Sequence, residues 1–516
     1  MNIFMIMCDE LRADVMGYLG NDTIKTPHLD ALAEDSIIFE NAYCNTPMCV
    51  PSRVSIATGR HALSHGALDN MLRPLDDEVS IYSMLQKEGY ITFNHGKWHS
   101  NIAPEKFGVT FSNNGSHRTQ GAEKQVTCFG ITDRELRKET TYKRNDGEIP
   151  LIIYGTRPSH KDHTLDSVVT KNYLDVLDHL DEVGQPVFGR LSIMDPHTPY
   201  FPSEPYASMY PPDALPLPDS IQEDLHTKPV LQRYFHKVRG FDLLEEQDYR
   251  QCKAAYYGLV THVDDRIGQV IDRLKALDLY DDSLIIFTSD HGSMLGEHGY
   301  IEKWGHMYEQ VMRTPLLIKP PHNPYKGKRL DSFVESIDIM PTILELLNLE
   351  IPDGVQGKSL VPYMTGKTSV HKEEVYGQYY CGSLQNTPAL MVRDETWKLT
   401  YYPEGNAMED KLLNDHPLKM SPMFEKKDVF GELYHMGNDP DEIHNLFDDP
   451  AYATIKESYM AKLENWKKDL EPIVVADTMP SHNDLSLHVL TQGENMTAAQ
   501  DLLRGEGRLR QLKRKS

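Results

Sequence analysis

Three times in this chain an apolar run breaks abruptly into polar residues, and that pattern restricts the folds open to it more than any other feature. Ile3 to Met7 runs into Cys8-Asp9-Glu10, Val187 to Met194 into Asp195-Pro196-His197, and Ser283 to Thr288 into Ser289-Asp290-His291-Gly292. Largely apolar runs of this kind suit strands covered on both faces. Between them lie helical patterns. From Tyr256 onward, Val260, Val263, Ile267, Ile271, Leu274 and Leu277 recur at helical spacing. Strand and helix alternate in this way to about residue 350, which predicts βαβ units and a mainly parallel central sheet flanked by helices. Ligands of open α/β sheets collect at the carboxyl ends of the strands. The three polar ends are therefore candidate site residues, because packing alone does not require them.

At 516 residues the chain exceeds one ordinary core and predicts either several domains or one large α/β domain with additions. Its 40% hydrophobic and 25% charged content is that of a globular protein, and no run approaches the roughly 18 apolar residues of a membrane span. Met1 to Met7 lacks the basic stretch and small-residue cleavage site of a leader and reads as a buried first strand, so a cytoplasmic location is expected. The six cysteines, at 8, 44, 49, 128, 252 and 381, show neither metal-finger nor disulfide-scaffold spacing, in keeping with a reducing compartment. A net charge of −24 argues against nucleic acid as a partner. It also means that an anionic substrate must be drawn in by a local cluster of cations or a metal ion.

Periodicity is weak from roughly 100 to 165, and a proline-rich stretch covers about 196 to 235. These segments read as long loops, either pocket walls or surface decoration. After about 370 the texture changes to short strands, Val375 to Tyr380, Pro388 to Arg393 and Trp397 to Tyr402, with a closing helix near Ala453 to Leu470. The expected division is a catalytic α/β domain at 1–370, a smaller C-terminal α+β domain with an antiparallel sheet at 371–480, and a tail at 481–516. The basic end of that tail, Arg504 to Ser516, is a candidate contact in a homo-oligomer.

Cys49-Val50-Pro51-Ser52-Arg53, followed by Thr58-Gly59-Arg60, sits where an extended segment, Phe39 to Thr46, gives way to a helix beginning near Pro51. Proline in a first helical turn loses no hydrogen bond, so Cys49 would lie at a helix N-terminus, where the dipole favours an anion. Read alone, Cys49 is either a nucleophile or a buried inert thiol. Asp9, Asp290 and His291 are candidates for one metal site, with Glu10 as a further ligand; single acids of this kind also serve as caps or solvated loop charges. Lys97-Trp98-His99 would put two cations on one side of an extended chain. His197 is held between Pro196 and Pro199, and Lys303 follows close enough behind His291 to return to the same mouth. Each is an ordinary surface residue in isolation. Together they form an oxyanion-binding set that answers the electrostatic problem of a strongly acidic chain.

The cysteine motif resembles the signature of the type I sulfatases, members of the alkaline phosphatase superfamily. The resemblance continues in Asp9-Glu10-Leu11-Arg12, Gly96-Lys97-Trp98-His99, Asp195-Pro196-His197, Thr261-His262-Val263-Asp264-Asp265, Ser289-Asp290-His291-Gly292 with Lys303, and Glu432-Leu433-Tyr434 to Asn445-Leu446. It implies an alkaline-phosphatase-like fold and conversion of Cys49 to Cα-formylglycine by a maturation enzyme. It also implies one divalent cation, usually calcium, held by Asp9, Asp290, His291 and the modified residue 49, with position 10 as a further ligand. Glu10 stands where Asp or Gln is usual, and His291, where many relatives have Asn, leaves manganese open.

By the same resemblance Arg53 and Lys97 stabilise the nucleophile and the sulfate oxygens, and His99 assists sulfate release. His197 and Lys303 serve the departing alcohol, and Asn70 contacts sulfate or substrate. The implied activity is release of inorganic sulfate from a sulfated carbohydrate, such as a glycosaminoglycan-derived mono- or oligosaccharide. The rivals are a phosphonate monoester or phosphodiester hydrolase and an arylsulfatase of broad specificity. Lys97 and His99 favour the sulfatase, since the phosphorus branch tends to carry neutral hydroxyl residues there.

Overall fold

The computed structural model describes residues 1–113, 153–381, 388–403 and 429–470, together with the backbone of a hairpin at 141–144 and 147–150. The expected tail at 481–516, with its oligomer contact, lies outside the described residues.

Eight strands form the main sheet: β1 (Ile3–Cys8), β2 (Ile37–Tyr43), β3 (Ile91–Gly96), β4 (Phe111–Asn113), β5 (Val187–Ser192), β6 (Leu284–Ser289), β7 (Leu316–Lys319) and β8 (Lys328–Glu335). Their spatial order is β8-β2-β7-β6-β1-β5-β3-β4. β1 pairs in parallel with β5 and β6, β3 with β4 and β5, and β8 with β2, whereas β7 runs antiparallel between β2 and β6. The carboxyl ends of all strands except β7 therefore open on one edge of the sheet. The three apolar runs form its centre, β5-β1-β6, where every strand residue is buried.

The two-residue period of β1 divides the core. Ile3, Met5 and Met7 enter one hydrophobic layer, and Phe4, Ile6 and Cys8 the other. The first layer is closed by α2 (Cys49–Thr58) and α6 (Ile339–Leu346), through Val50, Val54, Ile339 and Ile343. The second is closed by α1 (Pro27–Glu34), α3 (Leu165–Leu177), α4 (Val230–Val238) and α5 (Glu246–Ala276), through Leu29, Tyr173, Leu231, Val263 and Ile267. The predicted helix from Tyr256 begins ten residues earlier, at Glu246, because a reciprocal cap between Glu245 and Asp248 starts it before the apolar stripe does. The proline-rich stretch before α4 is a chain of short 3-10 turns packed over α5.

A second sheet of four antiparallel strands, β9 (Glu374–Tyr379), β10 (Ala389–Asp394), β11 (Trp397–Tyr401) and β12 (Gly431–His435), is covered by α7 (Ala453–Asp469) through Tyr459, Leu463 and Trp466. The fold is thus a mainly parallel α/β sheet with helices on both faces and a smaller antiparallel sheet following it. The segment that enters α2 is tied to both sheets. Asn45 donates to Glu335 Oε1 at 2.8 Å, at the end of β8, and its carbonyl accepts from the Gln378 amide of β9 at 3.0 Å.

Candidate active site

Five segments leave the carboxyl edge of the main sheet and converge on Cys49. α2 begins at Cys49 itself, with Met48 as its extended cap, and Pro51 falls within the first turn. Gly59 ends the helix at φ +65°, a conformation that disfavours side chains, and its carbonyl accepts the amides of Gln356 and Gly357 at 2.9 Å each. Asp9 and Glu10 follow β1, Lys97 follows β3, His197 follows β5, and Asp290 and His291 follow β6. Lys303 returns to the same place through a two-stranded hairpin, Met294–Leu295 against Ile301–Glu302. Gly96 is needed at the exit of β3: its φ is +91°, and a Cβ there would lie 2.0 Å from the Ser192 carbonyl oxygen.

The Cys49 Sγ lies 3.5 Å from Asp9 Oδ1, 3.4 Å from Lys97 Nζ, 3.4 Å from His291 Nε2 and 3.5 Å from Lys303 Nζ. Donor atoms of Asp9, Cys49, Asp290 and His291 all lie within 4.8 Å of one another, and all four residues are buried. Two carboxylates, an imidazole and the side chain at 49 fit a divalent cation that accepts oxygen and nitrogen. Glu10, expected as a further ligand, lies outside that set. It belongs to a second group with Asp9 and His197, its Oε1 pairs with Lys303 Nζ and lies 3.3 Å from His197 Nε2, and its Oε2 accepts from Ser293 Oγ.

Arg53 is fully buried and fixed by three bonds: Nε to Asp290 Oδ2 at 2.8 Å, Nη1 to Ser192 Oγ at 2.8 Å and Nη1 to the Lys97 carbonyl at 3.0 Å. Its Nη2 has no hydrogen-bond partner among the described residues and lies 3.8 Å from Asp9 Oδ2. Lys97 Nζ pairs with Asp9 Oδ2. Asn70 accepts the Val50 amide at 3.0 Å, satisfying one free N–H of the first turn of α2, and is itself held through its carbonyl by Asn101. His99 makes no hydrogen bond through Nδ1 among the described residues.

Burial and neighbouring charge divide the roles. Burial works against ionisation of Asp9, but Lys97, His197 and Arg53 outweigh it and hold the carboxyl well below its ordinary range. Burial and the Asp9 charge push Asp290 up, against Arg53. Lys303 is pushed down to about 8 by burial, with Asp9 opposing. His99 is held well below its ordinary value by burial and then by Lys97 and Arg53, so the ring is neutral and free to accept a proton. His197 is lowered by burial too, yet its Nδ1 faces the Thr198 carbonyl and its Nε2 faces Glu10, two acceptors that suit the protonated ring. The Cys49 thiol is raised well above its ordinary value by burial and by Asp9, despite Lys97. As a thiol it is therefore protonated and a poor nucleophile.

All eleven predicted residues lie in or against this cluster. The sequence reading missed the residues that hold them. Ser192 anchors Arg53, and Ser52 donates to the Asp290 carbonyl at 2.5 Å. Tyr256 donates to the Glu10 carbonyl at 2.6 Å, and Asp166 accepts the amides of Met194 and Asp195 at 2.8 Å each, fixing the turn before His197. Only Asp166 left a signal: it stands in the first turn of α3, two residues after the capping Thr164, where an acid complements the helix N-terminus.

A family profile described as Sulfatase matches residues 1–349, and one described as N-sulphoglucosamine sulphohydrolase, C-terminal, matches 296–430. An arylsulfatase of Clostridium perfringens is 32% identical over 76% of this chain and 84% of its own length. The multifunctional alkaline phosphatase superfamily protein PehA of Trinickia caryophylli is 28% identical over 90% of this chain and 95% of its own. An N-acetylglucosamine-6-O-sulfatase of Bacteroides thetaiotaomicron is 25% identical over 90% and 86%. Among solved structures, a phosphonate monoester hydrolase from Silicibacter pomeroyi superposes with a TM-score of 0.71 at 25% identity, covering 93% of this chain and 98% of its own. A protein solved with its substrate D-glucosamine-2-N,6-O-disulfate gives 0.67 at 22% identity, covering 91% and 99%, a likeness of fold.

Proposed function

Because this chain belongs to the sulfatase family and is a sulfuric ester hydrolase, we propose that it releases inorganic sulfate from a sulfated carbohydrate, a mono- or short oligosaccharide of glycosaminoglycan type, at a formylglycine made from Cys49. The observation that carries this reading is the convergence of Asp9, Lys97, His291 and Lys303 within 3.5 Å of the Cys49 sulfur at a helix N-terminus. A thiol held protonated is not a nucleophile, and it would give a thiosulfate that is hard to release. Conversion of Cys49 by a maturation enzyme accounts for why a cysteine stands there at all.

Asp9, Asp290, His291 and residue 49 would hold one divalent cation, calcium by the oxygen donors and manganese by the imidazole. Cation and formylglycine together supply, when present, a hydroxyl on carbon acidic enough to attack sulfur. The protein's own side chains do the remainder. Arg53 and Lys97 bind and orient the sulfate oxygens. His99, neutral at Nε2, takes up a proton as sulfate leaves. His197 and Lys303 hold a proton at the oxygen of the departing sugar. Burial of Arg53, Lys97 and Lys303 beside Cys49 limits bulk water at the reacting centre.

The sugar is supported by the Lys97 and His99 pair and by the likeness to an N-acetylglucosamine-6-O-sulfatase. The second reading, a phosphonate monoester or phosphodiester hydrolase, is favoured by the likeness to PehA and to a phosphonate monoester hydrolase; a broad arylsulfatase is favoured by the Clostridium relative. A screen of sulfated mono- and disaccharides beside an aryl sulfate and a phosphonate monoester tests the choice. A sulfated sugar should be turned over with the highest kcat/KM, and a phosphonate monoester exceeding every sulfate ester would overturn it. The described cysteines 8, 44, 49, 252 and 381 are free thiols, which supports a reducing, cytoplasmic setting in which only small imported fragments are met.

A further inference from the structure

Glu10 occupies a costly position. It lies in the left-handed region at φ +63°, where a non-glycine residue is strained, and its side chain is fully buried. The backbone is locked there. The Glu10 amide donates to Asp290 Oδ1 at 3.2 Å, its carbonyl accepts from Tyr256, and the next amide, Leu11, donates to Ser289 Oγ at 3.0 Å. The carboxylate then reaches past the four-donor set. Oε1 meets Lys303 Nζ and His197 Nε2, the two groups proposed above to serve the departing alcohol, while Oε2 is held by Ser293, whose hydroxyl is paired in turn with Tyr200 at 3.1 Å.

This placement fixes a charge count. Around Cys49 the buried cations Arg53, Lys97 and Lys303 face the buried carboxylates Asp9, Glu10 and Asp290, three against three before a bound cation and the protonated His197 are added. A neutral residue at position 10 would leave one further positive charge in a site closed to solvent, where a unit charge acts strongly on any anion. We propose that Glu10 is a specificity-determining residue: by neutralising Lys303 and orienting His197 it suits the site to monoanionic esters and discriminates against dianionic ones such as phosphate monoesters. The inference rests on the sulfuric ester hydrolase reading above and adds to it which anions that hydrolase refuses.

The test compares three phenyl esters at about pH 7, above the second phosphate pKa of about 6: phenyl sulfate and a phenyl phosphonate monoester, both monoanions, and phenyl phosphate, a dianion. In Glu10→Gln the kcat/KM for phenyl phosphate relative to phenyl sulfate should rise about tenfold or more, with the phosphonate-to-sulfate ratio held within about threefold. Glu10→Asp, which keeps the charge, should retain the wild-type ratios. Binding gives a readout independent of turnover. By calorimetry on Cys49→Ala protein, adding Glu10→Gln should tighten phenyl phosphate relative to phenyl sulfate by a similar factor, and adding Lys303→Gln should shift the ratio the other way. Unmoved ratios overturn the proposal, as does an equal rise for phosphate and phosphonate monoester, which would mean that phosphorus is recognised and not charge. A Glu10→Gln protein that does not fold leaves the Lys303→Gln binding ratio to decide. Absence of sulfate turnover in the wild type would instead strike the parent reading, and the binding ratios would still judge this one.

Discussion

Arg53 and Asp290 are joined by a 2.8 Å bond from Nε to Oδ2 in which neither side chain is exposed. The pair ties the first turn of α2 to the end of β6, so the helix that carries Cys49 is registered against the candidate metal ligands by one charge-assisted contact. Breaking a buried pair leaves an uncompensated charge, at a cost of about 3–5 kcal/mol. Arg53→Met should therefore lower the unfolding free energy by that order in urea titrations, beyond any loss of turnover. Because Arg53 belongs to the motif that the proposed maturation enzyme would read, the intact mass of the variant must accompany its activity.

His99 and Lys97 should separate chemistry from stability. His99 has an unpartnered Nδ1 among the described residues. Its replacement by alanine should cost about 10²–10⁴ in kcat while stability changes by less than about 1 kcal/mol. Lys97→Met strands the Asp9 carboxylate and should lose both activity and about 3 kcal/mol of stability. Equal destabilisation in the two variants, measured by denaturant midpoint, would contradict the assignment.

Removal of divalent cations should lower Tm as well as activity, since a ligand bound only to the folded state stabilises it by about 2.7 kcal/mol at a hundred times its Kd. The four donors within 4.8 Å predict that Asp290→Asn loses this response to chelator. A chelator effect on Tm of the same size in Asp290→Asn would place the cation elsewhere.

Acid should destabilise the protein through Asp338 independently of the active site. Burial disfavours its charge, but Lys372 and His371 outweigh it and hold the carboxyl at about 2, with Lys372 Nζ 2.7 Å and His371 Nε2 3.0 Å from its oxygens. A carboxyl lowered in the folded state binds fewer protons there than in the unfolded chain, so its contribution is complete above the ordinary value near 4 and is lost as pH falls toward 2. That contribution is of order 2 kcal/mol. The drop in unfolding free energy between about pH 5 and about pH 3 should be smaller in Asp338→Asn than in the wild type; an equal drop would remove Asp338 from the account.

Much of this architecture was legible because burial on both faces leaves a mark in sequence. β1 and β6 are almost wholly apolar and β5 is apolar apart from Arg190 and Ser192, and polar residues at their ends, which packing cannot explain, meet around Cys49. Three strands of the second sheet and its covering helix were visible as short apolar pieces followed by an amphipathic stretch, whereas β12 was not read as a strand. β7 was not legible as the antiparallel member of the main sheet. Leu316-Leu317-Ile318-Lys319 reads the same in either direction, and only its hydrogen bonding to β2 and β6 fixes its sense. Nor did the sequence separate Glu10 from Asp9. One extra methylene and a left-handed backbone carry its carboxylate to Lys303 and His197, and neither is encoded by spacing. The supporting residues Ser192 and Tyr256 were hidden because a hydroxyl in a strand or a long helix has no pattern of its own.

The central claim is that chemistry begins at residue 49, and sulfate release by wild-type and Cys49→Ala protein tests it most directly, with the intact mass of the wild type recording whether the thiol has become an aldehyde. A sulfated monosaccharide should release sulfate with the converted wild type and none measurable with Cys49→Ala, whose fold should persist because only a small buried group is removed. Unchanged release in Cys49→Ala would contradict the account.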